Sequence, residues 1–521
     1  MTEPDRAKTT SAGWPLWVPP VSLLLLASLT FCSGLTGTFV LDDKFAILQH
    51  PVVQGWAPLA DAFRLNFWGE PLGAVPPSFR PLTTLSFVID QRLLGGSAVA
   101  FHLSSLLWYV SLVLVGWRFA RKCIGSGAAF LAMAFFVVMP VHVENVSSLA
   151  GRADTLGLLF GLLACLALSP TLVDGKTTVA WRVIGAAAAF VAAILCKESM
   201  AAVPLAIAVF AEFRRRSNAR LSFYDAHIPS LVMATVLALY FLFRLHIQPQ
   251  MLSHKEPDDV LVGANVWEKI GYGFELLFRY SKLVVTPVGL CSGRRFAEVF
   301  RPSHLSLAMV VGAGLLGLGG YLSWRDYRQR RFPFVLAAFL SWLLITGLVF
   351  AMPESMADRY LLLPSLFLCL AIGPSLLTLW NKGVVWRTVV IAVLGTHAVL
   401  SGLQARTWHD EGALFSHAVR VCPNSVHDHF RYAEYLSEQG QTAEAVWHYG
   451  LVTKGKHAFP HAWSHPAQEA ERSLPAELRV REMHRLLGFA VDESLWRMRF
   501  EAYLRSFGRQ READLIASMR P

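Results

Sequence analysis

The chain has 521 residues, of which 54% are hydrophobic and 16% are charged, and its mean hydropathy is +0.42. This composition is too apolar for one soluble domain of that length, so most of the chain is expected to lie in a lipid bilayer. The net charge of +10 does not indicate nucleic acid binding, because much of it falls in clusters that membrane proteins place on the cytoplasmic side.

The first apolar stretch runs from about Trp14 to Val40. It is longer than the core of a signal peptide, so we interpret it as a transmembrane helix, with signal cleavage as the alternative. Two adjacent carboxylates, Asp42 and Asp43, follow at the point where this helix leaves the bilayer. Charge costs several kcal/mol inside lipid but little at its surface, so this is a position where a membrane enzyme can present a base.

Further apolar stretches of about 20 residues are centred near Leu107, Phe135, Phe160, Ala188, Ala206, Val236, Ala313, Leu343, Cys369 and Val393. With the first helix they predict about eleven crossings. Clusters of Arg and Lys occupy every second connection, and they include Arg121, Lys122, Lys176, Arg182, Arg214, Arg215, Arg216, Arg325, Arg328, Lys382 and Arg387. Because such clusters mark cytoplasmic loops, the N-terminus is predicted inside, and Asp42 and everything after about Gly402 outside.

The first outer loop, from Leu41 to about Val99, contains Arg80 and then an amphipathic pattern. Leu82, Leu85, Ile89 and Leu93 recur at helical spacing with polar residues opposite, which predicts a helix lying in the membrane interface. This helix either guides a lipid head group or only anchors the loop.

The remaining outer loops carry charged and polar residues close to span ends, where such residues usually face a cavity rather than lipid. These candidates are His142, Glu144, Arg152, Asp154, Lys197, Glu198, Arg244, His246, His254, Lys255, Glu354, Asp358, Arg359 and Tyr360. Each alone is a weak signal, since a Lys or Arg at a span end more often extends to the membrane surface than binds a ligand. Together they supply a carboxylate to deprotonate a hydroxyl and cations to stabilise a departing phosphate, which glycosyl transfer from a lipid phosphate requires. A short apolar run from Phe274 to Leu290 is predicted to be re-entrant.

The tail from Trp408 to Gly450 has small residues and Pro-Asn at the spacing of one helix-turn-helix repeat unit. A single unit buries its own face poorly, so helical segments between Pro475 and Met519 are expected to pack against it. The tail histidines His427, His429, His457, His461 and His465 do not match a zinc motif. The seven cysteines have no CxxC or paired spacing and indicate no redox role.

Five pieces of the sequence resemble the transmembrane and tetratricopeptide-repeat O-mannosyltransferase family of the GT-C superfamily. The matching pieces are Leu41-Asp42-Asp43, Phe79-Arg80-Pro81-Leu82-Thr83, Pro140-Val141-His142-Val143-Glu144 with Gly151-Arg152-Ala153-Asp154, Lys197-Glu198, and Asp358-Arg359-Tyr360-Leu361-Leu362-Leu363-Pro364-Ser365. Two departures are that Met139 stands where members commonly have His, and that the tail has about one repeat unit instead of a long array.

The resemblance implies an all-α polytopic membrane protein with a GT-C region at residues 1–403 and an external helical, tetratricopeptide-like domain at 404–521. It implies an inverting glycosyltransferase that moves a sugar, mannose in this family, from a polyprenyl- or dolichyl-phosphate to an external hydroxyl. Asp42 is then the general base with Asp43 beside it. From their charge and position, Lys197 and Arg359 are predicted to hold the donor phosphate. The expected partners are membrane lipid, the polyprenyl-phosphate sugar donor and a protein, glycan or lipid acceptor, without nucleic acid.

No cofactor or metal site is predicted, although a divalent cation stays open. The expected location is a bacterial inner membrane with the tail periplasmic, and the endoplasmic reticulum membrane is the alternative. Two other functions stay open, a transporter or flippase for the same kind of lipid and a scaffold that binds partners through its tail. A transporter predicts charge near the middle of the membrane and inverted repeats, and neither is evident in the sequence.

Overall fold

The computed structural model describes residues 15, 17–72, 74, 78–218, 221–249, 265–292, 306–344, 346, 356–423, 425–441, 444, 445, 448 and 514. The chain divides into two compact units, one of Met1–Leu290 with Arg301–His409 and one of Cys291–Phe300 with Asp410–Pro521. Several predicted features lie outside the described residues. These are His254, Lys255, Glu354, His457, His461, His465 and most of the segment from Pro475 to Met519.

The described part of the larger unit is helical and contains no β-strand, only an isolated bridge between Leu65 and Pro71. Its α-helices are Val18–Phe31, Pro51–Gln54, Pro81–Leu93, Ala98–Ile124, Ser126–Val138, Val143–Ser147, Arg152–Ala167, Ser169–Leu172, Ala180–Cys196, Val203–Ser217, Phe223–Ile247, Val266–Val285, Leu307–Arg328, Phe334–Leu344, Leu362–Asn381 and Val384–Arg406. The all-α, multi-pass membrane architecture is therefore confirmed.

Helices occupy every predicted span centre, but they differ in length. Among the described residues, five helices are long and apolar enough to cross a membrane: Ala98–Ile124, Phe223–Ile247, Leu307–Arg328, Asp358–Asn381 and Val384–Arg406. A sixth crossing results if Ser126–Val138 and Pro140–Ser147, which meet at a 60° bend, form one broken span. The predicted total of about eleven stays a prediction, because helices such as Val18–Phe31 are shorter than the apolar sequence that contains them.

Local sequence explains where several helices start and stop. Ser97 starts Ala98–Ile124, and its side chain accepts a hydrogen bond from the Ala100 N–H. Gly125, with φ of 82°, ends that helix and allows the sharp turn into Ser126–Val138, because a left-handed backbone strains residues with a side chain. Most of the apolar run from Phe274 to Leu290 lies in the helix Val266–Val285, which begins earlier with a capping box formed by Asn265 and Glu268.

The predicted amphipathic helix is present as Pro81–Leu93, and its polar side faces the protein interior. Thr83 and Asp90 are buried, and the Thr83 hydroxyl donates to the Cys196 carbonyl at 3.1 Å. Ile89 and Leu93 are exposed. An apolar side left open to the surroundings is the orientation expected for a helix at the membrane interface.

The packing of the larger unit brings sequence-distant segments to the outer loops. Arg152–Ala167 packs between Ala180–Cys196 and Ala98–Ile124, and Leu362–Asn381 packs on Ser126–Val138. These contacts place residues near 150, 197 and 359 within reach of one another.

The described part of the smaller unit contains the helices Glu411–Val421 and Val426–Glu438, which pack together. Both are capped on their first turns by side-chain oxygens of Asp410 and Ser425. The helix pair agrees with the helix-turn-helix pattern of the sequence, and its assignment as a tetratricopeptide repeat stays a prediction.

Candidate functional site

The acid pair after the first helix lies on a strained turn. Leu41 has φ of 50°, in the left-handed region that a branched side chain rarely adopts. Asp43 is fully buried, and its carboxylate accepts hydrogen bonds from the Val40 N–H at 3.2 Å and the Ala150 N–H at 2.8 Å. Asp42 is half-buried. The two acids therefore differ in environment, with Asp43 fixing the turn and Asp42 more accessible.

The environment of Asp43 also changes its ionisation. Burial raises the pKa of Asp43 to about 7, against the opposing effect of the Ala150 and Val40 hydrogen bonds, and Asp42 adds to the increase. Repulsion between the two carboxylates therefore acts in the same direction as burial and favours a proton on Asp43.

The segment that binds Asp43 continues into the next charged residues. Pro140 breaks the preceding helix, and the chain turns by 60° into a short helix that carries Glu144. Gly151 lets the chain double back, because a Cβ at this position would lie 2.4 Å from the Glu144 carbonyl oxygen. Glu144, Ala150 and Asp154 thus lie on one compact segment that reaches both the acid pair and the cations described next.

The Glu144 carboxylate binds both the backbone and the side chain of Arg359. The Arg359 N–H donates to Glu144 Oε2 at 3.0 Å, and the Arg359 guanidinium forms an ion pair with Glu144 Oε1. The Asn145 amide donates to the Arg359 carbonyl at 3.3 Å. Arg359 is thereby oriented from both ends while its side chain stays 18% exposed, which leaves the guanidinium able to meet a ligand.

Lys197 forms the second ion pair. Its ammonium lies 3.0 Å from Asp154 Oδ2, and the side chain is 10% exposed. Burial lowers the pKa of Lys197, and the nearby positive charges of Arg80 and Arg359 act in the same direction, whereas Asp154 and Glu198 oppose them. An anion that approaches such a lysine stabilises its charged form.

Glu198 joins two arginines. Arg80 Nε lies 3.1 Å from Glu198 Oε2, Arg244 Nη1 lies 3.2 Å from Oε1, and the Phe79 N–H donates to Oε1 at 3.0 Å. Burial alone would raise the pKa of Glu198, but Arg80, Arg244 and Lys197 hold it well below its usual range. Arg244 is further fixed by Tyr240 and Gln248.

These residues form one charged cluster, defined as Arg80, Glu144, Asp154, Lys197, Glu198, Arg244 and Arg359. The electrostatic coupling of Lys197 to Arg80 and Arg359 connects the three ion-paired groups. The charged cluster contains four cations among the described residues, Arg80, Lys197, Arg244 and Arg359. Several cations fixed in a partly buried place suit an anion such as a phosphate.

Three other predicted binding residues have interior partners. Arg152 is fully buried, 2.5 Å from Asp90 Oδ2, and donates to the Phe101 carbonyl at 2.8 Å. His142 is buried between Ser365 Oγ at 2.8 Å and the Tyr109 hydroxyl at 3.1 Å.

Tyr360 is the third of these residues and is 7% exposed. Its ring lies 5.3 Å from the Arg359 guanidinium carbon. It therefore supports Arg359 instead of facing the cluster as a separate group.

Several residues around the site were not selected from the sequence. They are Asp90, Tyr109, Asn145, Tyr240, Gln248 and Ser365. The available signal was an acid on the polar side of the amphipathic helix, Asp90, which needs a partner once that side is buried. The identity of that partner depends on tertiary packing. No three His, Cys, Asp or Glu side chains of the described residues come together in a way that holds a metal ion.

The chain is similar to known protein mannosyltransferases. Residues 76–242 match the family model described as dolichyl-phosphate-mannose-protein mannosyltransferase. The chain is 25% identical over 456 residues to Protein O-mannosyl-transferase F38B6.6 of Caenorhabditis elegans, which covers 83% of this chain and 62% of that protein. It is 25% identical over 508 residues to Protein O-mannosyl-transferase TMTC1 of Homo sapiens, with 86% and 57% covered.

The chain thus spans less than two thirds of the length of both relatives. Among solved structures, the crystal structure of ArnT from Cupriavidus metallidurans bound to undecaprenyl phosphate matches with a TM-score of 0.42 and 16% identity, covering 84% of this chain and 71% of that one.

Proposed function

We propose that the chain, which is similar to protein O-mannosyltransferases, is a member of the transmembrane and tetratricopeptide-repeat O-mannosyltransferase family and an inverting glycosyltransferase. The proposed donor is a polyprenyl-phosphate sugar, with mannose as the sugar, and the acceptor is a hydroxyl group on the external face of the membrane. The names of the relatives support a protein acceptor, with a glycan or lipid acceptor as the alternative.

In the proposed reaction, the acceptor hydroxyl attacks the anomeric carbon of the sugar from the face opposite the phosphate. Asp42 accepts the hydroxyl proton, the bond from the anomeric carbon to the phosphate oxygen breaks, and the polyprenyl phosphate leaves with the bonding electrons. Negative charge grows on the phosphate during this step, so fixed cations stabilise the transition state more than the ground state.

The observation that carries the proposal is the set of fixed cations in the charged cluster and its connection to the acid pair. Arg359 and Lys197 are each held by one carboxylate, Glu144 or Asp154, on a segment whose Ala150 N–H binds the acid pair. This arrangement supports a base and a phosphate site linked through one rigid segment. A purely structural set of ion pairs needs no such link to Asp43.

The domain and location assignments belong to the same proposal. Residues 1–403 form the GT-C catalytic region, and residues 404–521 form an external helical domain of tetratricopeptide type. The basic clusters support placing the tail outside. The proposed location is the plasma membrane of a bacterium with a periplasmic tail, and the endoplasmic reticulum is the alternative.

The test uses the full chain in liposomes with radiolabelled polyprenyl-phosphate mannose and a mixture of peptides rich in Ser and Thr. We expect Asp42→Asn to retain the folded yield and to lower transfer about 100-fold or more, the scale for loss of a general base. Asp61→Asn is the matched control, because Asp61 pairs only loosely with the exposed Arg64 at 3.4 Å.

Two results would contradict the proposal. Transfer by Asp42→Asn within about threefold of wild type removes Asp42 from the base role. Movement of labelled lipid across the bilayer without any glycosylated product supports a flippase instead.

A further inference from the structure

Two cysteines that are unrelated in sequence spacing meet in the smaller unit. Cys291 and Cys422 are 131 residues apart, and their Sγ atoms lie 2.9 Å from each other. Both side chains are buried, with 3% exposure each. The sequence pattern alone gave no reason to pair them.

Turns of the chain lie beside both cysteines. Cys422 ends the helix Glu411–Val421, and its N–H donates to the Ala418 carbonyl at 2.7 Å. The Cys422 carbonyl accepts from the Ser425 N–H at 3.0 Å. Cys291 follows Gly289, whose φ of 75° turns the chain. The two sulfurs are therefore brought together by turns in both segments.

Two cysteine sulfurs this close are usually either ligands of one metal ion or partners in a disulfide. A structural zinc site needs four ligands, usually Cys or His, and the described residues contain no group of three such side chains. A disulfide needs only the two sulfurs, about 2.05 Å apart. The observed separation is within an ångström of that value.

The compartment is the second requirement, since disulfides persist only in an oxidising environment. Cys291 precedes the apolar span Leu307–Arg328, which ends in a cluster of arginines. Cys422 follows the apolar span Val384–Arg406, which begins beside Lys382. The positive-inside rule assigns the basic ends of both spans to the cytoplasm, and so assigns both cysteines to the external side.

We propose that Cys291 and Cys422 form a structural disulfide on the external side of the membrane. The two thiols lose two protons and two electrons as the Sγ–Sγ bond forms. The electrons reduce the disulfide of a thiol oxidoreductase of that compartment to a dithiol, by way of a mixed disulfide with one of the two cysteines.

The bond would close a loop of about 130 residues, which in the chain-entropy view strongly restricts the unfolded chain. Its burial would slow reduction by the glutathione pool in the folded unit, whereas dithiothreitol at high concentration during heating still reduces it. This inference does not depend on the proposed enzymatic activity, because it concerns stability and sidedness alone.

The first experiment determines the state of each cysteine in the full-length protein. Intact cells that express it are treated with N-ethylmaleimide, and the protein is denatured with the reagent present, digested without reductant and analysed by mass spectrometry. We expect a linked peptide pair that contains Cys291 and Cys422 and disappears after dithiothreitol. Cys165 and Cys369 should carry maleimide. Recovery of Cys291 and Cys422 with maleimide on both overturns the proposal.

The second experiment compares thermal unfolding of detergent-solubilised protein with and without dithiothreitol. We expect reduction to lower the unfolding temperature of wild type by several degrees, and Cys422→Ser to begin at the lower value and not respond. Cys369→Ser is the matched control, since this buried cysteine contacts Met139 Sδ at 3.7 Å and no other cysteine of the described residues, and it should respond to reductant as wild type does.

An equal response of Cys422→Ser and wild type to reductant also overturns the proposal. If Cys422→Ser does not fold, the peptide analysis of wild type still decides the question.

Discussion

The buried pair of Arg152 and Asp90 provides a test of whether Arg152 binds substrate or holds the fold. The perturbation is Asp90→Asn, which removes the anion and keeps the shape of the side chain. Both partners are almost completely buried, and Arg152 Nη1 lies 2.5 Å from Asp90 Oδ2. We expect lower stability, because the substitution leaves a buried guanidinium without its counter-ion.

The magnitude follows from what Arg152 retains. Breaking a buried ion pair at one partner costs about 3–5 kcal/mol. The guanidinium still donates to Ser105 Oγ at 2.9 Å and to the Phe101 carbonyl at 2.8 Å, and it lies 4.7 Å from the Phe87 ring centre. We therefore expect a loss near 3 kcal/mol, or a decrease of about 3 °C in the unfolding temperature for a chain of this size.

The assay is thermal unfolding in detergent, followed by the amount of monodisperse protein left after heating. The double variant Asp90→Leu with Arg152→Met should recover much of the loss, since an apolar pair of similar volume often replaces a buried ion pair without cost. Asp61→Asn should change stability by less than about 0.5 kcal/mol, because its pair with Arg64 is exposed.

Two outcomes would refute this reasoning. One is Asp90→Asn with the unfolding temperature of wild type. The other is Arg152→Met with unchanged stability and a raised apparent constant for the lipid donor, which would return Arg152 to the substrate site.

Three further predictions use the same protein. Because the pKa of Asp43 is raised from 3.8 to about 7, folded protein keeps a proton that the unfolded chain releases, so stability should fall as the pH rises from about 4 to about 7. Asp43→Asn should flatten this dependence in unfolding scans, and an unchanged slope would contradict it. Lys197→Met and Arg359→Met should raise the apparent donor constant or lower turnover at saturating acceptor, whereas donor curves that superimpose on wild type, corrected for folded protein, would exclude phosphate binding. Cysteine labels at Ser217 should react only from the cytoplasm and labels at Gly440 only from outside, and the reverse pattern would invert the topology.

The helices were largely predictable because apolar runs report burial in lipid or protein directly. The lengths of the helices were not predictable, since the apolar sequence continues past the residues at which the helices end. Val18–Phe31 ends in a 3₁₀ turn although apolar residues continue to Val40. In the same way, Pro140 divides a run that reads as one span into two helices at 60°.

The site was predictable as a set of residue types but not as a set of pairs. Arg80 and Glu198 are 118 residues apart, and Arg359 and Glu144 are 215 apart. No local periodicity encodes such partners. In the sequence, Arg152 and Lys197 look alike because both stand at span ends. In the structure, Arg152 has an interior partner in Asp90.

The long separation between Glu144 and Arg359 has a consequence for biogenesis. Chains are synthesised at about 5–20 residues per second, so Glu144 leaves the ribosome roughly 10–40 s before Arg359 does. Throughout that interval the Glu144 carboxylate lacks the guanidinium that later binds it. The loop that carries Glu144 therefore reaches its final arrangement only after the segment around Arg359 arrives. Truncated chains that stop before this segment should be recognised and degraded as incompletely assembled membrane proteins.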